Sequence, residues 1–146
     1  MKIADCATDH ARSWLGTPYV HQASTKGAGT DCLGLIRGVW RALYGDEPED
    51  IPRYTRDWSE PSGQEALLDA ADRLLIRKPL ASSNDGDVLI FRMRTGAVAK
   101  HMGISASKGG IATFIHAYTG HGVVETPLSA PWTKRLSARF EFPEGV

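Results

Sequence analysis

At 146 residues the chain fits one domain, residues 1–146, with one hydrophobic core large enough to hold a preformed site without staples. Its 17 Lys and Arg balance 17 Asp and Glu, which leaves no global field to attract nucleic acid or an anionic membrane surface. Two cysteines are too few for a disulfide framework or a four-thiolate zinc site.

Residues 3 to 15 place Ile3, Ala7, His10, Ala11 and Trp14 on one side of a helix with Cys6 beside them, all core-facing, and Gly16 closes it before Thr17-Pro18. A short extended piece, Pro18-Tyr19-Val20-His21, runs into a polar glycine-rich loop from Gln22 to Gly29. Thr30 and Asp31 then stand where they can cap a helix that starts at Cys32. Its apolar positions Leu33, Ile36, Val39, Trp40 and Leu43 follow at helical spacing to Tyr44, and Gly45 ends the run. Within it Gly34, Gly38 and Ala42 recur every four residues. Such a stripe predicts another backbone close by, as a sheet packed on the helix would supply.

Gly45 to Ser59 is acidic, punctuated by proline and read as loop, with Tyr54 and Trp58 packing back on the surface. Ser62-Gly63-Gln64-Glu65 has the form of a capping box for a second amphipathic helix that ends before Pro79. From Asn84 the period changes. Asn84-Asp85-Gly86-Asp87 is a turn, Val88–Phe91 a buried strand, and Lys100–Ser105 and Ile111–Ala117 two more. Val123–Thr126 and the cleanly alternating Leu136–Phe142 complete the set. Helices first and an antiparallel meander second make an α+β arrangement.

Cys32 at a helix N-terminus sits in the positive end of the backbone dipole, which favours thiolate and suits a nucleophile; the plain alternative is a small buried apolar cysteine. A thiol nucleophile needs a base and a group that orients the base. His101 opens one strand and His116 lies near the end of the next, with Ser107-Lys108-Gly109-Gly110 between them. A Lys108-Gly109 loop sets the two histidines directly opposite. A Gly109-Gly110 loop makes them diagonal neighbours on one face, and a three-residue loop puts them on opposite faces. Zinc held by His101, His116, His121 and a cysteine lacks the tight ligand spacing of a metal site.

Three blocks carry a resemblance. They are Gly16-Thr17-Pro18-Tyr19 leading to Thr30-Asp31-Cys32-Leu33-Gly34; Asp85–Phe91 with His101-Met102-Gly103-Ile104; and Phe114-Ile115-His116-Ala117. Together, and in this order, the chain resembles the NlpC-type papain-like cysteine peptidases that cut cell-wall peptides. The stretch from Cys32 to Arg41 looks most like the branch found in phage tails and gene transfer agents. The resemblance implies a papain-like α+β fold with the N-terminal helices packed on a mostly antiparallel sheet. It implies Cys32 as nucleophile, His101 as general base and acid, and His116 as the residue that orients His101. Tyr19 would help shape the oxyanion site, Asp31 would cap the helix, and no metal or organic cofactor is required. The substrate would be the peptidoglycan stem peptide, cut at the γ-D-glutamyl linkage to a diamino acid.

Leu33 stands where the family usually has serine, and His21-Gln22-Ala23-Ser24 where it usually has paired glycines. His21 shares strand parity with Tyr19 and is a candidate substrate contact. Two rival readings are an acyltransferase or amidase on the same fold and a non-catalytic tail module. The start of the chain carries no signal peptide and no segment approaches the ~20 apolar residues of a bilayer span, so the expectation is a soluble protein made in the cytoplasm. It would meet the wall or periplasm on a particle or after release, with tail-tip proteins as partners and Asp46–Pro61 as a candidate docking loop.

Overall fold

The computed structural model describes residues 2–48, 65–94 and 96–144. Tyr54, Trp58, most of the Asp46–Pro61 loop and the first three residues of the expected capping box lie outside them. The elements run α1 (Ile3–Arg12), β1 (Ser24–Thr25), β2 (Gly29–Thr30), α2 (Cys32–Tyr44), α3 (Ala66–Leu74) and β3 (Ile76–Lys78). They continue with β4 (Val88–Arg92), β5 (Ala99–Lys108), β6 (Ile111–Tyr118), β7 (Gly122–Pro127), α4 (Ala130–Arg135) and β8 (Leu136–Glu141). One six-stranded sheet has the order β3-β8-β4-β5-β6-β7 with every neighbouring pair antiparallel. Helices α1 and α2 pack on β5, which makes the chain α+β as its sequence implied. Among the described residues no helix is long and apolar enough to cross a membrane.

The sheet is buried on both faces through its middle, which is why Val88–Phe91 reads as an unbroken apolar run rather than an alternating one. Val88, Ile90, Met102, Ile104, Ile115, Ala138 and Phe140 meet Ala7, Ala11, Trp14, Leu35 and Val39 of the helical layer. Leu89, Phe91 and Phe114 form a second apolar cluster with Met93, Leu128, Trp132 and Leu136.

Three expectations need correction. Helix α1 stops at Arg12 instead of residue 15, because Trp14 N–H bonds back to the Ala11 carbonyl and Leu15 N–H to that of Arg12, tightening the end into turns. Cys6 and His10 are only half-buried; the buried polar place on α1 goes to Thr8, whose hydroxyl donates to the Ser105 carbonyl at 3.4 Å. The small-residue stripe of α2 does not face the sheet. A Cβ on Gly34 would lie 2.0 Å from the Ala23 carbonyl oxygen, and one on Gly38 2.1 Å from the Trp14 indole, while Ala42 is exposed. The close neighbours are thus the chain entering the β1–β2 hairpin and a single aromatic ring.

That hairpin lies inside the stretch expected to be loop, and β3 and α4 were likewise not foreseen. All three are short, and α4 has proline in its first turn. The turn before β4 is locked by charge. Asp87, only 1% exposed, accepts from Lys78 Nζ at 3.0 Å, Arg139 Nη1 at 2.8 Å and Asn84 N–H at 2.9 Å. Its own backbone N–H donates to Ser105 Oγ at 3.0 Å, so one residue ties β3, β5 and β8 together.

Candidate active site

The site starts from a capped helix. Asp31 Oδ1 accepts the Gly34 N–H at 2.8 Å and thereby sets the first turn of α2, with Cys32 as its first residue. Asp31 Oδ2 accepts the Gln22 N–H at 2.7 Å and lies 3.9 Å from His21 Nδ1, so the same carboxylate pins the chain that follows Tyr19. Gln22 is held at a φ of 64°, the only non-glycine at positive φ among the described residues. Thr30 does not cap: its hydroxyl donates to the Asp31 carbonyl at 3.0 Å. Its backbone bonds both sides of Tyr19, accepting from Val20 N–H and donating to the Pro18 carbonyl, which fixes Tyr19 beside the helix start.

The Gly109-Gly110 loop decides the histidine register. Both glycines have positive φ, 59° and 81°, as a tight primed hairpin turn requires. Ser105 pairs with Phe114 and Lys108 with Ile111, which makes His101 and His116 diagonal neighbours on one face, one of the three arrangements the sequence left open. Their rings meet at 2.7 Å, Nε2 of His101 to Nδ1 of His116. Gly103 makes room for this: a Cβ there would stand 2.8 Å from the Ile115 carbonyl and 3.1 Å from His116 Cβ.

Strand parity puts the histidines on the face of Phe91 and Phe114, away from the helices, whereas Cys32 is on a helix. A splay of the sheet reconciles the two. The β5–β6 ladder ends at Ile104↔Ile115 although β5 runs back to Ala99 and β6 on to Tyr118. At that end of β5 the Cys32 thiol donates to the Lys100 carbonyl at 3.9 Å, with the Met102 N–H also directed at the sulfur. A cavity of about 240 Å³ opens there, lined by Tyr19, His21, Asp31, Cys32, Lys100 and His101 among others. His116 lies behind His101, fully buried, and Trp132 of α4 closes the outer side with its ring 5.3 Å from His116 and 5.7 Å from His101.

Electrostatics correct one expectation. Burial, followed by the adjacent Asp31 carboxylate, pushes the Cys32 thiol up to about 12, although the N–H groups of Met102, Leu33 and Cys32 itself pull the other way. Burial holds His101 down to about 4; burial, then the neighbouring His101 and His121, hold His116 down to about 3. Desolvation thus outweighs the helix dipole, and the resting pair at neutral pH is a thiol and an imidazole, not a thiolate and an imidazolium. Alkylation of Cys32 by iodoacetamide at pH 7 is therefore expected to run at least about tenfold slower than that of a model thiol, and to keep accelerating as the pH is raised beyond 9. A fast, pH-independent reaction at neutral pH would overturn this account.

Every site residue singled out in the sequence reaches this region: Cys32, His101, Tyr19, His21 and Asp31 line the cavity, and His116 backs it. The sequence reading missed Lys100, Tyr118 and Thr119 in the wall, and Thr126 and Trp132 behind the histidines. Ser129-Ala130-Pro131, a capping residue with proline in the first turn, is the signal that would have found α4 and Trp132.

Comparison with known proteins agrees with this geometry. Residues 16–140 match the model of the NlpC/P60 family. The chain is 31% identical over 132 residues to the murein DD-endopeptidase MepS/murein LD-carboxypeptidase of Escherichia coli, covering 88% of this chain and 57% of that protein, so it spans little more than half the relative's length. Among solved structures, an NlpC/P60 family protein from Bacillus cereus superposes with a TM-score of 0.64 at 20% identity, covering 95% of this chain and 40% of that one. The NlpC/p60 domain of the peptidoglycan hydrolase SagA gives 0.61 at 21% identity, covering 95% and 98%. With a helix-borne cysteine set against a splayed strand that carries a histidine, and a family match over most of its length, the chain belongs to the NlpC/P60 family.

Proposed function

We propose that the chain is a cysteine peptidase acting on peptidoglycan stem peptides, with Cys32 as nucleophile, His101 as general base and acid, and His116 as the residue that orients His101. The observation that carries this reading is the 2.7 Å bond between His101 and His116 in the wall of a cavity that also holds the Cys32 thiol. With Nε2 of His101 committed to His116, its Nδ1 is the nitrogen that receives the thiol proton as sulfur attacks the amide carbonyl. The oxyanion is met by the Cys32 N–H, with Tyr19 beside it. Collapse of the intermediate breaks the C–N bond, and the amine leaves with the proton returned by His101. Water, deprotonated by the same imidazole, then resolves the thioester to a carboxylate and the free thiol. No metal or organic cofactor enters any step.

The polar groups in the cavity lining, His21, Asp31, Lys100 and Thr119, can hold water as the acceptor, and so support hydrolysis over acyl transfer. Three bonds are candidates. Resemblance points to the γ-D-glutamyl linkage to a diamino acid, whereas the name of the Escherichia coli relative points to a D,D or an L,D bond. We take residues 1–146 as one such domain, with His21 as a substrate contact. The wording Cys32–Arg41 supports delivery to the wall by a phage or gene transfer agent particle, through tail-tip partners.

Mass spectrometry of purified peptidoglycan fragments after incubation with the wild-type protein and with Cys32→Ala tests the reading. New stem-peptide fragments from the wild type alone are expected, and their masses assign the bond. No cleavage by a folded wild type would move the reading to the transferase or to a non-catalytic tail module.

A further inference from the structure

The bond between the two histidines leaves one question open, because a neutral imidazole carries a single proton and both nitrogens of His116 are engaged. Nδ1 meets His101 Nε2 at 2.7 Å, and Nε2 meets the hydroxyl of Thr126 at 2.9 Å. The placement of Thr126 repeats that of the histidines. Phe114 pairs with Thr126 and His116 with Val124, so Thr126 on β7 is the diagonal neighbour of His116 on β6, as His116 is of His101 on β5. Three side chains thus step across three adjacent strands on one face.

We infer that Thr126 is a positioning residue: its hydroxyl accepts the Nε2–H of His116 whenever His101 donates to Nδ1, and so supports the tautomer whose bare Nδ1 faces His101. The argument is one of proton count. For His101 to take a proton on Nδ1, its Nε2 must already carry one and donate it to His116. His116 Nδ1 must then be bare and its Nε2 protonated. In the opposite tautomer His116 donates to His101 Nε2, His101 carries its proton on Nδ1, and it cannot serve as a base. Once His101 is an imidazolium only the first arrangement is possible.

Around His116 stand His101 from β5, Tyr118 from β6, His121 from the β6–β7 turn and Trp132 from α4, and the ring is wholly buried. Without the Thr126 oxygen the Nε2–H would be left without this acceptor in a buried place, which favours the unproductive tautomer.

The test is ¹⁵N NMR of the histidine rings in the whole chain, with turnover of peptidoglycan fragments as a second arm. The wild type is expected to show His116 protonated at Nε2. Thr126→Val, which keeps the β-branched shape, should lose that preference and lower kcat about 5- to 100-fold with KM unchanged, and Thr126→Ser should restore both. A wild type protonated at His116 Nδ1 overturns the inference, as does a Thr126→Val chain with unaltered tautomer and kcat. The kinetic arm rests on the peptidase reading and the spectroscopic arm does not. An inactive wild type with the expected tautomer would therefore count against the peptidase alone.

Discussion

His101→Ala is expected to lower kcat on a peptidoglycan fragment by about 10²–10⁴-fold while leaving KM within a factor of a few. The reason lies in the protonation states. With the thiol held up to about 12 by burial, the resting nucleophile keeps its proton, and attack requires a base at the moment of reaction. His101 is the buried imidazole in the cavity wall, and burial keeps it neutral at working pH and so able to accept. His116→Ala should cost less, about 10- to 100-fold, since it removes only the orientation of His101. The measurement is steady-state kinetics with both variants. Equal rates for His101→Ala and wild type would show that the base is elsewhere, His21 being a second imidazole in the cavity wall.

The second large effect is on stability and lies away from the cavity. Asp87→Ala is expected to lower the free energy of unfolding by about 3–5 kcal/mol, because it leaves the buried guanidinium of Arg139 and the nearly buried ammonium of Lys78 without their shared carboxylate. The Asn84 N–H loses its acceptor as well. Urea unfolding followed by circular dichroism reads this as a lower midpoint at constant slope. A loss under about 1 kcal/mol would mean that the cluster relaxes into water and that the carboxylate does not hold β3 and β8 together. The affected turn bonds to β5 at Ser105, near the far end of that strand from His101, so activity per folded molecule should be unchanged.

Much of the fold was legible because its signals are local. The α2 helix runs from Cys32 to Tyr44 as its cap and its periodicity imply, and the buried strand from Val88 and the last strand from Leu136 lie where the sequence put them. The short elements were not. β1, β2, β3 and α4 have too few residues for a period, and each exists because a partner strand or the Phe91–Phe114 cluster receives it.

The site divides along the same line. By itself the sequence picked out the residues proposed to bear the chemistry, because a capped helix start, a strand histidine and a second histidine one hairpin away are patterns of neighbours along the chain, and they fall in the blocks that carry the family resemblance. Only the tertiary structure decided the rest. It chose among the three hairpin arrangements, ended the β5–β6 ladder short of His101, brought Cys32 and His101 into the wall of one cavity, and placed Trp132 beside both histidines. It also reversed the expected charge state of Cys32. A helix dipole is a property of the local chain, whereas the desolvation that outweighs it comes from side chains and strands distant in sequence.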